Sequence, residues 1–115
     1  VHLVGQVDHD ELVHWYNSAD FFILGSHDEA TNISLCEAMS CGCVPIVTDI
    51  PAFREMTGHG NIGLLFPAGD EERLLKVLGE STRLDLASEK QKVLNQFRNE
   101  LSFDAIAGRL IKILS

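Results

Sequence analysis

Apolar residues along this chain fall into short solid runs separated by stretches with helical spacing. Phe21-Phe22-Ile23-Leu24 is wholly apolar and ends in Gly25-Ser26, the pattern of a parallel strand covered on both faces. Val44 to Thr48 reads the same way, as does Ile62 to Phe66 before Pro67, and Val1 to Val4 before Gly5 adds a fourth expected strand. Between them, Leu12, Trp15, Tyr16 and Ala19 form one helical face behind Asp8 or Asp10 as cap. Leu35, Ala38 and Met39 form another, starting near Asn32 to Ser34 and stopped by Gly42. Pro51 opens a short helix through Met56, broken by Gly58 and Gly60. Asp70 caps a helix carrying Leu74, Leu75, Val77 and Leu78, and further helices are predicted from about Arg83 to Asn99 and from Ser102 to Leu114. Strands alternating with helices predict an α/β fold, a parallel sheet flanked by helices, in a single domain over residues 1–115.

The chemistry concentrates where the strand at 21–24 hands over to the helix after it. Open α/β sheets bind ligands just beyond the carboxyl ends of their strands. The unpaired N–H groups and positive dipole end of a helix beginning there suit a diphosphate. Glu37 lies one turn into that helix, where a ribose diol could donate to it, and Glu29 lies in the loop before it, within reach of a sugar beyond the phosphates. Each acid also has a plainer reading. Ser34-x-x-Glu37 is a capping box in which Glu37 returns a hydrogen bond to the backbone, and Glu29 alone is a solvated loop acid.

The whole string, Glu29 through Glu37 followed by Ala38-Met39-Ser40-Cys41-Gly42 and the Val44-Pro45-Ile46-Val47-Thr48 run, resembles the E-x7-E signature of retaining nucleotide-sugar glycosyltransferases of the GT-B fold, family 4 (group 1). The resemblance runs over essentially the whole chain. It implies a Rossmann-like sheet, part of the C-terminal, donor-binding domain of a longer enzyme that moves a hexosyl group from a nucleotide diphosphate sugar to a sugar, lipid or protein acceptor with retention at the anomeric carbon. By that resemblance Glu29 orients the hexose and is the residue assigned to catalysis. Thr31, Asn32 and Ile33 hold the donor phosphates, Glu37 the ribose, and Gln6, Val7 and Asp8 line the nucleobase. The family needs no metal, and the donor is the only small molecule implied.

Two departures stand out. The family's Gly-Phe-Gly after the first glutamate is Ala30-Thr31-Asn32 here, which puts a Cβ where phosphate approaches the backbone, although Asn tolerates left-handed geometry. The family's Arg and Lys facing the diphosphate come from an earlier strand-loop-helix unit that this chain does not carry. A complete domain orders its strands 3-2-1-4-5-6, and the chain matches only the third to sixth. Its start at Val1, within an expected strand, fits a fragment that is inactive alone. The 21–24 strand then has a bare edge, open to Val1–Val4 or to a second copy in a homo-oligomer. A catalytically degenerate or structural module and a GT-B sugar-nucleotide epimerase are the alternatives that share this architecture.

Composition narrows the partners. The chain has 9 basic and 17 acidic residues among 115, a net charge of −8, with no basic run, so nucleic acid and anionic membrane surfaces are repelled. No apolar stretch approaches the roughly 20 residues that span a bilayer. Cys36, Cys41 and Cys43 match no zinc spacing and read as packing thiols of a protein in the reducing cytoplasm. Asn32-Ile33-Ser34 is formally a glycosylation sequon, unused in that setting. His27, beside Asp28, is the histidine nearest the expected sugar site, and no histidine is assigned as a base.

Overall fold

The computed structural model describes residues 1–115 as three strands and six helices, alternating as far as the third strand. Helix α1 (His9–Ser18) leads into β1 (Phe21–Leu24), followed by α2 (Ile33–Ser40), β2 (Val44–Thr48), α3 (Pro51–Met56) and β3 (Leu64–Phe66). Then come α4 (Glu71–Ser81), α5 (Leu86–Gln96), a π-helical turn at Phe97–Leu101, and α6 (Phe103–Leu114). The sheet is parallel throughout in the order β1-β2-β3, with Ile23 opposite Ile46 and Ile46 opposite Leu64. The expected α/β architecture, a parallel sheet flanked by helices, is the one observed.

Burial explains the order. All five residues of the central strand β2 are buried, as a strand covered on both faces requires. Successive residues face opposite sides. Val47 joins Leu35, Met39, Phe53 and Val93 in the main core, while Ile46 packs with Phe66 and Val77 of α4. Tyr16 seats α1 on α2 through Ala38 and Cys43. Trp15, expected on the same packed face, is 46% exposed and takes no part in that cluster, to which Leu12, Tyr16 and Ala19 contribute. No helix is long and apolar enough to cross a membrane.

Three boundaries differ from expectation. Val1–Val4 forms no strand: Val1 and Leu3 are fully exposed and pair with nothing, since apolar content does not make a strand without a ladder partner. The chain therefore has three strands rather than four, and β1 keeps an open edge. The third strand begins at Leu64 rather than Ile62, because Gly63 takes φ +68 and cannot join a ladder. The long helix expected from Arg83 starts at Leu86 behind Asp85, whose carboxylate accepts from the Ser88 N–H at 3.3 Å, and after Gln96 widens into the π turn. Asp8 does occupy the N-cap position of α1, without a side-chain capping bond.

The cysteines are free thiols within the fold. Cys43 is fully buried and its Sγ donates to the Tyr16 carbonyl at 3.0 Å. Burial pushes the thiols of Cys43 and Cys36 and the phenol of Tyr16 upward. A proton held more tightly in the folded chain favours folding below the ordinary thiol range and ceases to do so as pH climbs through the folded value. The urea midpoint is thus expected to fall above about pH 8.5. At neutral pH a thiol reagent should modify Cys43 only when the chain unfolds, which mass spectrometry of native and denatured samples would read directly.

Candidate functional site

The site is built at the amino end of α2. Asn32 occupies the N-cap in an extended conformation (φ −133, ψ 111), and its Oδ1 accepts from the Leu35 N–H at 2.8 Å. A cap of this kind contributes about 1 kcal/mol. The left-handed geometry considered for this loop is not used, since no residue from Ala30 to Asn32 has positive φ. With Asn32 as cap, Ser34 is inside the helix and the Ser34–Glu37 capping box does not form. Two consequences follow for ligands. The N–H groups of Ile33 and Ser34 find no acceptor in the chain, and the Glu37 carboxylate, half-buried, makes no hydrogen bond or ion pair.

Glu29 is held differently. Ser26 Oγ donates to its Oε1 at 3.1 Å and Asn32 Nδ2 approaches the same oxygen at 3.4 Å, while Oε2 has no partner. The Ser26 carbonyl accepts in turn from the buried Thr48 hydroxyl on β2, at 2.5 Å. The middle strand thereby anchors the turn that presents Glu29.

Two cavities flank this loop. One, of about 410 Å³, is lined by Glu29, Ala30, Thr31, Pro51, Ala52, Glu55 and Met56. The other, of about 530 Å³, is mostly apolar; Thr31, Asn32, Ile33 and Glu37 form one wall, and Phe97, Phe103 and Ile106 are among the residues of the other. Neither has a Lys or Arg in its lining. Arg54, beside Glu55, forms a two-pronged ion pair with Asp49 and holds that carboxyl below its usual range.

Of the residues singled out in the sequence, Glu29, Thr31, Asn32, Ile33 and Glu37 thus surround one helix end. Gln6 and Asp8 lie in the exposed lead-in to α1, with Val7 half-buried between them, and none of the three lines either cavity. His27 is exposed and lines neither cavity. Sequence reasoning missed Ser26, Ser34 and Glu55. Ser26 is an ordinary turn residue until its bonds to Glu29 and Thr48 are seen, and Ser34 an ordinary helix-start residue until its N–H is seen to lack an acceptor. Glu55 joins Glu29 in one cavity lining only through the fold.

A family model described as "Glycosyl transferases group 1" matches residues 1–97. The chain belongs to that family. Among its curated relatives is the phosphatidyl-myo-inositol mannosyltransferase of Mycobacterium leprae, 33% identical over 91 residues, which cover 78% of this chain and 24% of that protein. The D-inositol 3-phosphate glycosyltransferase of Frankia alni is 26% identical over 115 residues, covering 84% of this chain and 28% of its own. This group 1 chain spans about a quarter of the length of these relatives. Its fold is also that of part of the sucrose-phosphate synthase from Thermosynechococcus elongatus, with a TM-score of 0.83 at 24% identity over 99% of this chain and 29% of the other.

Proposed function

We propose that this group 1 chain is the donor-binding part of an enzyme that transfers a hexosyl group from a nucleotide diphosphate sugar to a hydroxyl acceptor, with retention of configuration. The observation that carries this reading is the amino end of α2, where two free N–H groups, at Ile33 and Ser34, lie between two acids with unsatisfied oxygens, Glu29 and Glu37. Negative charge grows on the departing diphosphate, so donors aimed at it stabilise the transition state more than the ground state. Ile33 and Ser34 supply those donors together with the helix dipole. Glu37 accepts from the ribose hydroxyls, and the free oxygen of Glu29 accepts from the sugar in the cavity shared with Glu55. Gln6, Val7 and Asp8 border the base, and no metal takes part.

The names of the two curated relatives make an inositol-bearing molecule the first acceptor to try. The open edge of β1 is covered in the complete domain by further strands and in the isolated chain by a second copy. Three free thiols suit a reducing compartment, and the cytoplasm is the setting we assign. An NMR titration of the chain with UDP-, GDP- and ADP-sugars tests the reading. Shifts centred on Ile33, Ser34 and Glu37 are expected, stronger for one nucleotide. Silence there at millimolar ligand would overturn it.

A further inference from the structure

Glu29 has two carboxylate oxygens in unlike situations. Oε1 is claimed by the Ser26 hydroxyl at 3.1 Å and approached by the Asn32 amide at 3.4 Å, while Oε2 is unclaimed and Glu29 lines a cavity together with Glu55. A carboxylate on a loop otherwise rotates freely and presents either oxygen, which costs side-chain entropy on binding. Here the restraint traces back to the sheet. Thr48, fully buried on the central strand, donates to the Ser26 carbonyl at 2.5 Å, fixing the backbone from which the Ser26 hydroxyl reaches Glu29.

We propose that Ser26 is a positioning residue for sugar recognition: its hydroxyl immobilises one oxygen of Glu29, so that the other alone meets a hydroxyl of the donor's sugar in the cavity that Glu29 and Glu55 line. The inference rests on the donor-site reading above. Its consequence is a division of labour. Nucleotide affinity comes from the N–H groups of α2 and from Glu37, and the additional affinity contributed by the sugar depends on Ser26. Because Ser26 lines neither cavity, it acts through Glu29 rather than on the ligand.

The test compares two probe pairs, GDP with GDP-mannose and UDP with UDP-glucose, by calorimetric or NMR titration of the chain. In the unaltered chain one pair is expected to show tighter binding of the nucleotide sugar than of the bare nucleotide. Ser26→Ala should erase roughly three- to tenfold of that advantage, the worth of one hydrogen bond, while the affinity for the bare nucleotide stays as it was. Ser26→Thr, which keeps the hydroxyl, should restore it. Should Ser26→Ala fail to fold, Thr48→Val probes the same chain from its other end and should lower the same ratio. An unchanged ratio in the folded variant, or an equal loss for nucleotide and nucleotide sugar, overturns the inference and leaves the donor-site reading intact. A chain that binds none of the four probes overturns both.

Discussion

Gly63→Ala is expected to cost the chain on the order of 4 kcal/mol, or to abolish folding, a loss at the far end of what single substitutions produce. A Cβ at Gly63 would lie 2.0 Å from the Pro45 carbonyl oxygen and 2.9 Å from its Cγ. Pro45 is fully buried in the central strand, so the clash is with backbone that has nowhere to move. The φ of +68 adds its own penalty of about 1–2 kcal/mol for a residue bearing a Cβ. Gly79→Ala supplies the control. Gly79 lies inside α4, where an added methyl would meet no atom within 4 Å, and there the same change should stabilise by roughly 0.5–1 kcal/mol. Urea midpoints of the two variants should move in opposite directions. A Gly63→Ala chain with the parental midpoint would show that the close approach of residue 63 to β2 is wrong.

The second large effect is on ligand rather than fold. Glu37→Ala should weaken nucleotide-sugar binding about ten- to a hundredfold, since a charge-assisted hydrogen bond is worth roughly 1.5–3 kcal/mol. Stability should hold or rise slightly. The Glu37 carboxylate bonds to nothing in the chain, and alanine is the better helix former in the middle of α2. Loss of affinity with retained stability separates a ligand-binding acid from a capping one, because removing a capping-box glutamate would loosen the helix itself. Glu37→Gln should fall between, keeping an acceptor without the charge. Parental affinity in Glu37→Ala, measured by the same titration, would remove Glu37 from the donor site.

The central strand of this fold was legible in the sequence because the solid apolar run at 44–48 has few other ways to be satisfied and is buried throughout. The run at 21–24 forms β1 but is not covered on both faces, since it lies at the open sheet edge with Ile23 51% exposed. Pro51, Asp70 and Ser102 likewise announce helix starts through local chemistry, and the last two make the expected capping bonds. Val1–Val4 misled because a strand is a relation between two segments and only one was in view. The π turn at Phe97–Leu101 left no mark in the spacing, since helical periodicity continues through it. At the site, the acids and the loop were visible as a pattern. Their wiring was not, because it depends on which of Asn32 and Ser34 caps α2, and both are good caps. That single choice frees Glu37 and the Ser34 amide. The link from Thr48 to Ser26 joins residues 22 positions apart and could only come from the register of β1 against β2.

Helix α6 carries Phe103, Ile111, Ile113 and Leu114 largely in water and meets the body of the chain chiefly at the π turn. So few buried contacts make it a separate cooperative unit, one that lets go at a lower free energy than the sheet. Phe103 and Ile106 are also wall residues of the apolar cavity beside Ile33 and Glu37. That cavity is therefore complete only in the docked fraction of molecules, and the apparent affinity of anything that fills it is reduced by that fraction. A mutation in α6 far from Glu37 can in this way change binding at Glu37 without touching the ligand.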